Sequence, residues 1–305
     1  MRTLLIALFT MLPAVAAAQT TPWGDPDLQG IWSNLTPVPL ERPAPLANKP
    51  FFTKEEAADV EKNSLASVLK FVGGAIPTSG ELNGIWLETG KGKVPRNLST
   101  SQIVDPPDGK IPFSKEGKTR WDATPSLERE LQGRTNAADK PEDRPEAERC
   151  ITTGGIFVPN PFYNNYHQIV QGPGYVVILT EMMHEHRVIP LDRRPHVGAG
   201  VRSWLGDSRG WWEGKTLVVE TTNFVDRRRF YGSTAALKLV ERFTRADNDT
   251  INYQLTVTDP NTFSRPWTLQ NSLWRSDEGI FEVGCHEGNY GLANILSGAR
   301  AQEKK

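Results

Sequence analysis

From about residue 160 onward, apolar and polar positions alternate in short runs broken by polar turns. "YHQIVQ" is followed by a Gly-Pro-Gly turn and by "YVVILTEMMHEHRVIPL". "SRGWW" and "TLVVETTNF" flank Glu213-Gly214-Lys215. "LKLVERFTRA" and "TINYQLTVTD" flank Asp247-Asn248-Asp249, and "RPWTLQNSLWRS" and "GIFEVGCHE" flank Asp277-Glu278. Paired runs rich in Val, Ile, Thr, Tyr and Trp around short polar turns are the mark of hairpins. Eight or nine strands joined in this way predict an antiparallel up-and-down barrel or a sandwich. The barrel is the stronger expectation, because closure removes exposed strand edges.

Before residue 155 the pattern changes to proline, glycine and charge. One short strand is expected over Leu28–Ser33. "FTKEEAADVEKNSLASVLKFV" predicts a helix opened by a Thr53–Glu56 capping box. "FSKEGKTRWDATPSLERELQG" predicts a second, with a boundary at Thr124-Pro125, because the residue before proline avoids helical backbone. Residues 73–108 and "NAADKPEDRPEAERC" read as irregular. So long an irregular stretch is not expected to fold alone. The fold class expected is mainly β, with an irregular, partly helical N-terminal segment (residues 19–155) wrapping a barrel core (residues 156–305) as one structural domain.

The first residues, "MRTLLIALFTMLPAVAAAQT", carry Arg2, an apolar run over Leu4–Val15, and Ala16 and Ala18 in the small-x-small pattern. They predict a signal peptide over residues 1–18, cut after Ala18. A membrane anchor is the rival reading, but the run is shorter than the ~20 residues a spanning helix needs. The expectation is a periplasmic or secreted protein without stable membrane insertion. A formal charge of -1 gives no footing for a polyanionic partner, and Arg227–Arg229 is too short to make a nucleic-acid surface. Nine Trp suit a β-rich core and a pocket for a small apolar or aromatic molecule. The two cysteines, Cys150 and Cys285, read as a disulfide in an oxidising compartment, with a catalytic thiol as the alternative.

The stretches "PWGDPDLQGIWSN", "SQIVDPPDGKIP", "ERCIT", "YNNYHQIVQGPGYVVILTEMMHEHRVIPLDRRPH", "WLGDSRGWWEGKTLVVETTNF", "LVERFTRADNDTINYQLTVTDP" and "CHEGNYGLANILSGAR" together resemble a family of exported proteins from proteobacterial and acidobacterial genomes. The resemblance runs through nearly the whole mature chain and implies export and a shared fold rather than a reaction. The position of His186 departs from that family's pattern, which weakens any metal role for it. Gly30-Ile31-Trp32 also resembles the Gly-x-Trp signature that opens the barrel of lipocalins and other calycins. That resemblance implies a calycin-like barrel with the tryptophan plugging one end and room for one small ligand.

Three groups of residues carry candidate chemistry. If "LTEMMHEHRVIP" is one strand, His184 and His186 share a face with Met182 and Val188, and Glu181, Glu185 and Arg187 share the other. Two imidazoles spaced in that way suit a metal ion, with a third ligand from His196, His286, Glu287 or Glu181. Without a second fixed-spacing pair no metal site is assigned. In "FEVGCHEGNYGL", alternation places Phe281, Val283 and Cys285 on a buried face. The flanking Gly284 and Gly288 bend the strand end, which can aim His286, Glu287, Asn289 and Tyr290 at a barrel mouth, with Arg149 brought alongside by the disulfide. In "NPFYNNYHQ", Tyr163, Asn164 and Asn165 either orient a polar ligand group or form a turn. Asp207, Trp211, Trp212 and the run Glu220–Asn223 add weaker polar and aromatic candidates.

There is no Gly-x-Ser-x-Gly elbow, phosphate loop, dinucleotide fingerprint or haem motif. The leading expectation is an exported enzyme of lyase, isomerase or hydratase type that uses no cofactor. His184 or His286 would be the base, Glu181 or Glu287 the partner acid, Arg187 or Arg149 the anion stabiliser, and Tyr163, Asn164, Asn165, Asn289 and Tyr290 the substrate contacts. A lipocalin-like carrier of hydrophobic ligands without catalysis is the second reading. A metal-dependent barrel using His184 and His186 is the third.

Overall fold

The computed structural model describes residues 20–63, 92–124, 137–153, 155–157, 165–226 and 230–303. The expected leader, the later parts of both predicted helices, and Tyr163 and Asn164 lie outside the described residues. The described strands are β1 (Gly30–Ser33), β2 (Ile103–Asp105), β3 (Tyr166–Gly172), β4 (Tyr175–Thr180), β5 (Glu185–Pro190), β6 (Asp207–Glu213), β7 (Thr216–Thr222), β8 (Lys238–Arg245), β9 (Thr250–Thr258) and β10 (Trp267–Arg275). The helices are α1 (Lys54–Lys62), α2 (Lys115–Ala123) and α3 (Tyr290–Gln302).

Nine strands form one antiparallel path in the order β5-β4-β3-β1-β10-β9-β8-β7-β6, which curls into a nearly closed, calycin-like barrel. Two meanders, β3–β5 and β6–β10, follow the hairpins legible in the sequence. β1 bridges them: Trp32 lies opposite His167 on one side and Arg275 on the other. β2 pairs with the first half of β10, where β1 does not reach. Among the described residues no ladder joins β5 to β6. Side chains close that seam instead, and Gly210 on β6 permits it. A Cβ there would stand 2.8 Å from Ile189 Cγ2 and from Leu191 Cδ2.

Period-2 alternation fills the inside. Ile169, Ile178, Ile189, Leu217, Val219, Leu239, Phe243, Tyr253, Leu255, Val257, Leu269 and Leu273 are all buried in one continuous core. Each such side chain contributes roughly 1.5–3 kcal/mol when fully withdrawn from water. Much of the N-terminal segment lies outside the strands, while β1 enters the sheet and Leu28, Ile103 and Ile111 join the core. α1 opens with the expected capping box, in which Thr53 and Glu56 bond each other's backbone amides. α2 is capped by Ser114 and stops at Thr124, immediately before Pro125.

Two strand expectations are corrected. The run 175–191 is not one strand. It turns at a short 3₁₀ element, Met182–His184, where Met183 and His184 take left-handed backbone (φ 59° and 51°). The turn shifts the parity of the buried positions from Val176, Ile178 and Thr180 to Glu185, Arg187 and Ile189. Second, "GIFEVGCHE" is not a closing strand: residues 279–285 form no ladder, and Phe281, expected on a buried face, is 68% exposed. β10 has no edge left to offer, because β9 takes one side and β1 and β2 share the other.

Candidate functional site

One end of the barrel is stoppered by Trp32. Its indole N–H donates to Leu28 O at 2.9 Å, and the guanidinium carbons of Arg245 and Arg275 lie 5.5 and 5.6 Å from its ring centroid. Gln171, on the inner face of β3, accepts the Leu28 amide at 2.6 Å and fixes the segment that carries the stopper. The arrangement agrees with the Gly-x-Trp reading.

Deeper inside lies a polar group that alternation places on inner faces. Arg187 of β5 meets Glu241 of β8 through both terminal nitrogens, the Nη2–Oε1 contact being 3.0 Å. Tyr253 of β9 donates its hydroxyl to the same Oε1 at 3.0 Å. Arg187 and Glu241 have side-chain exposures of 4% and 0%. A pair this buried persists only if its geometry repays desolvation. Burial by itself would lower the Arg187 pKa, but Glu241 outweighs it and the net direction is upward. Burial, reinforced by Glu241, pushes the Tyr253 phenol well above its ordinary value. Arg187 Nε is buried and has no hydrogen-bond partner among the described residues.

His167 of β3 faces the same interior. Its Nδ1 lies 3.1 Å from Thr180 Oγ1. Burial, and secondarily the charge of Arg187, lower its pKa to about 3, so it is neutral across the physiological range. Phe157, which lies outside the strands, inserts beside it. The Phe157 ring centroid is 4.1 Å from that of His167, 5.0 Å from Tyr253 and 5.3 Å from Phe243. Glu185, next to Arg187 along the inner face of β5, accepts from the Thr153 amide and hydroxyl, both at 3.1 Å.

Of the described residues expected to carry chemistry, Arg187 alone stands in this group. Glu181, 2% exposed, accepts the Phe281 amide at 3.1 Å through Oε1, and His184 Nε2 accepts the Val283 amide at 3.0 Å. Both bonds fasten the segment after β10. His186 is exposed on the outer face of β5. It therefore does not share a strand face with His184, which sits in the turn. His286 and Glu287 are exposed, on the link to α3. Asn289 caps α3 through the Leu292 amide and donates to Glu148 O at 2.8 Å. Tyr290 is 75% exposed, Arg149 is half-buried, and Asn165 is buried, its carbonyl accepting the Asn34 amide at 3.1 Å.

Cys150 and Cys285 form the expected disulfide, with Cα atoms 5.8 Å apart. Among the described residues no three His, Cys, Asp or Glu side chains are grouped to hold a metal ion.

A second polar cluster lies on the outer wall. His196 Nδ1 is 2.8 Å from Asp207 Oδ2, and its Nε2 is 3.2 Å from Glu220 Oε1. Arg209 flanks Asp207, and Lys238 pairs with Glu220. Burial raises the Asp207 pKa, but hydrogen bonds from His196, the Val197 amide and Arg209 outweigh it and hold it below the usual carboxylate value.

Sequence reasoning missed Glu241, Tyr253 and Phe157. One signal was available: Glu241 falls between Leu239 and Phe243 on the apolar face of its strand, and a charge in that position is buried with a partner.

No family model and no curated protein matches the chain. Among solved structures, it is similar to a secretary abundant heat soluble (SAHS) protein from Ramazzottius varieornatus. The identity is 9%, over 36% of this chain and 70% of that one, with a TM-score of 0.25. No ligand or activity follows from a likeness at that level.

Proposed function

We propose that the protein is an exported barrel that binds one small molecule with an apolar or aromatic body and a hydrogen-bond acceptor. The observation that carries this reading is the Phe157 ring, held among His167, Tyr253 and Phe243 beside the Arg187–Glu241 pair. An aromatic ring supplied by a segment outside the strands marks the space that a ligand ring would take. Arg187 Nε, a buried donor without a partner, offers the acceptor group a bond. Export is supported by the leader pattern of residues 1–18 and by the disulfide.

Binding has more support than acid–base catalysis. The histidine and the carboxylate with the best claim to catalysis, His184 and Glu181, are engaged by backbone amides. The buried His167 is held neutral by its surroundings.

The test compares wild type with Phe157→Ala, using the environment-sensitive aromatic probe anilinonaphthalene sulfonate and a thermal-shift panel of neutral aromatic ketones and esters. Removing the ring should open the site and raise probe affinity at least tenfold, at a stoichiometry of one. Ligands recovered from wild type should be chemically unchanged by mass spectrometry. No saturable binding by either protein would refute the proposal, and conversion of a ligand would return the case to an enzyme.

A further inference from the structure

After β10 the chain runs outside the barrel from residue 276 to residue 289 and ends on α3. The barrel wall fastens it in series. Ser276 N bonds Ile31 O at 2.9 Å, and Tyr166 donates its hydroxyl to Glu278 Oε2 at 3.0 Å. Phe281 N bonds Glu181 Oε1, and Val283 N bonds His184 Nε2. The disulfide at Cys285 and the Asn289 bond to Glu148 O complete the series. Amides two residues apart, at 281 and 283, are thus met as a neighbouring strand would meet them, but by side chains. The acceptors come from the β4–β5 turn, not from a ladder.

One of these fasteners depends on protonation. Imidazole Nε2 accepts a hydrogen bond only while it keeps its lone pair, and both ring nitrogens of imidazolium are donors. The Val283–His184 bond therefore requires a neutral His184 protonated on Nδ1. A proton on Nε2 would set two N–H groups against each other at a distance of 3.0 Å. The same turn also carries a carboxyl group. Glu181 is 2% exposed, and its Oε2 has no hydrogen-bond partner among the described residues.

We propose that the β4–β5 turn is an acid-released clasp for the C-terminal strap. Protonation of His184 breaks its bond to Val283, and the imidazolium turns to the spare oxygen of Glu181. The strap loosens between Glu278 and Cys285 while both ends stay attached, so the response is a local opening that the disulfide confines.

The charged groups around His184 are mostly acidic. Glu181 and Glu185 belong to its own hairpin, and Glu185 is committed to Thr153. Asp277, Glu278, Glu282 and Glu287 lie on the strap, with His286 as a second imidazole. Glu146, Glu148 and Arg149 lie on the segment joined to the strap by the disulfide. Met183 and His184 both hold left-handed backbone, a conformation that non-glycine residues keep only where the surroundings enforce it. Losing the strap removes one of those supports.

The test uses the oxidised full chain and hydrogen exchange at pH 7.5 and 5.0, corrected for intrinsic rates. It compares wild type, His184→Gln and His286→Gln. Glutamine keeps an acceptor oxygen near the Nε2 position at every pH. Protection of the Val283 amide should fall at least tenfold on acidification in wild type and in His286→Gln, and stay constant in His184→Gln. Nitrogen NMR should find His184 in the Nδ1–H tautomer at pH 7.5. An equal loss of protection in His184→Gln, constant protection in wild type, or the Nε2–H tautomer would each overturn the proposal.

Discussion

Lowering the pH from 7 to 5 offers a proton to His167, and the barrel interior is a poor place to accept one. The imidazole is buried, lies near the Arg187 guanidinium, and has its pKa lowered from 6.5 to about 3. Between those two values only the unfolded chain takes the proton. Acid therefore favours unfolding: the stability that depends on neutral His167 is complete above about pH 6.5 and is lost progressively as the pH falls toward 3. Each pH unit inside that window costs about 1.4 kcal/mol. From pH 7 to pH 5 the loss is about 2 kcal/mol, a large fraction of the 5–15 kcal/mol typical of a folded domain. The assay is urea unfolding of wild type and His167→Asn at half-unit steps. Asparagine can keep the bond to Thr180 and does not titrate. Every other acid-labile group is common to both proteins, so the difference in their slopes isolates the imidazole. Wild type should lose about 2 kcal/mol more than the variant over this interval. Parallel stability curves would refute the argument and mean that His167 takes up its proton inside the fold.

Four further outcomes follow from the same geometry. Glu241→Ala should cost about 3–5 kcal/mol in urea unfolding by leaving Arg187 buried and uncompensated, whereas the double change Arg187→Met with Glu241→Leu should cost much less. Cys150→Ser with Cys285→Ser should lower the melting temperature, since the bridge closes a loop of 135 residues and the chain-entropy model assigns it roughly 5 kcal/mol. Gly117→Ala should destabilise by ~1–3 kcal/mol or more, because its Cβ would sit 2.0 Å from the Thr262 carbonyl oxygen; an unchanged melting curve would mean that α2 does not pack there. Asp207→Asn should be destabilising at neutral pH, with the deficit shrinking as the pH falls through the lowered Asp207 value, because the carboxylate contributes stability only while ionised; a deficit independent of pH would count against the His196 clamp.

The hairpins were legible because strands such as β4, β5, β8 and β9 alternate between a dry face and a wetter one, and Gly-Lys or Asn-Asp turns interrupt the pattern where the chain reverses. Trp32 was legible through its glycine neighbour, and the disulfide through cysteine arithmetic in a chain that opens on a leader-like run. The β4–β5 turn was hidden because Glu181, Met182, Met183 and His184 include neither glycine nor proline; the reversal rests on two residues in left-handed backbone. Its trace was the change of parity between Ile178 and Ile189. The segment after β10 misled for the opposite reason. Phe281 and Val283 alternate as a strand would, but strand formation needs a free edge, and that is a property of the assembled sheet. The polar interior was least legible, because which inward-facing residues meet depends on how β5 sits against the β8–β9 hairpin, which is far from it in sequence.

The position of β1 carries a consequence for the order of assembly. Residues 30–33 lie outside the loop closed by the disulfide, yet they fill the gap between β3 and β10, which are about a hundred residues apart in sequence. A chain that emerges N-terminus first presents β1 early and gives it no complete berth until β10 has arrived. Trp32 is then a keystone: made before the other strands of the path, and the piece whose two-sided seating must await β10.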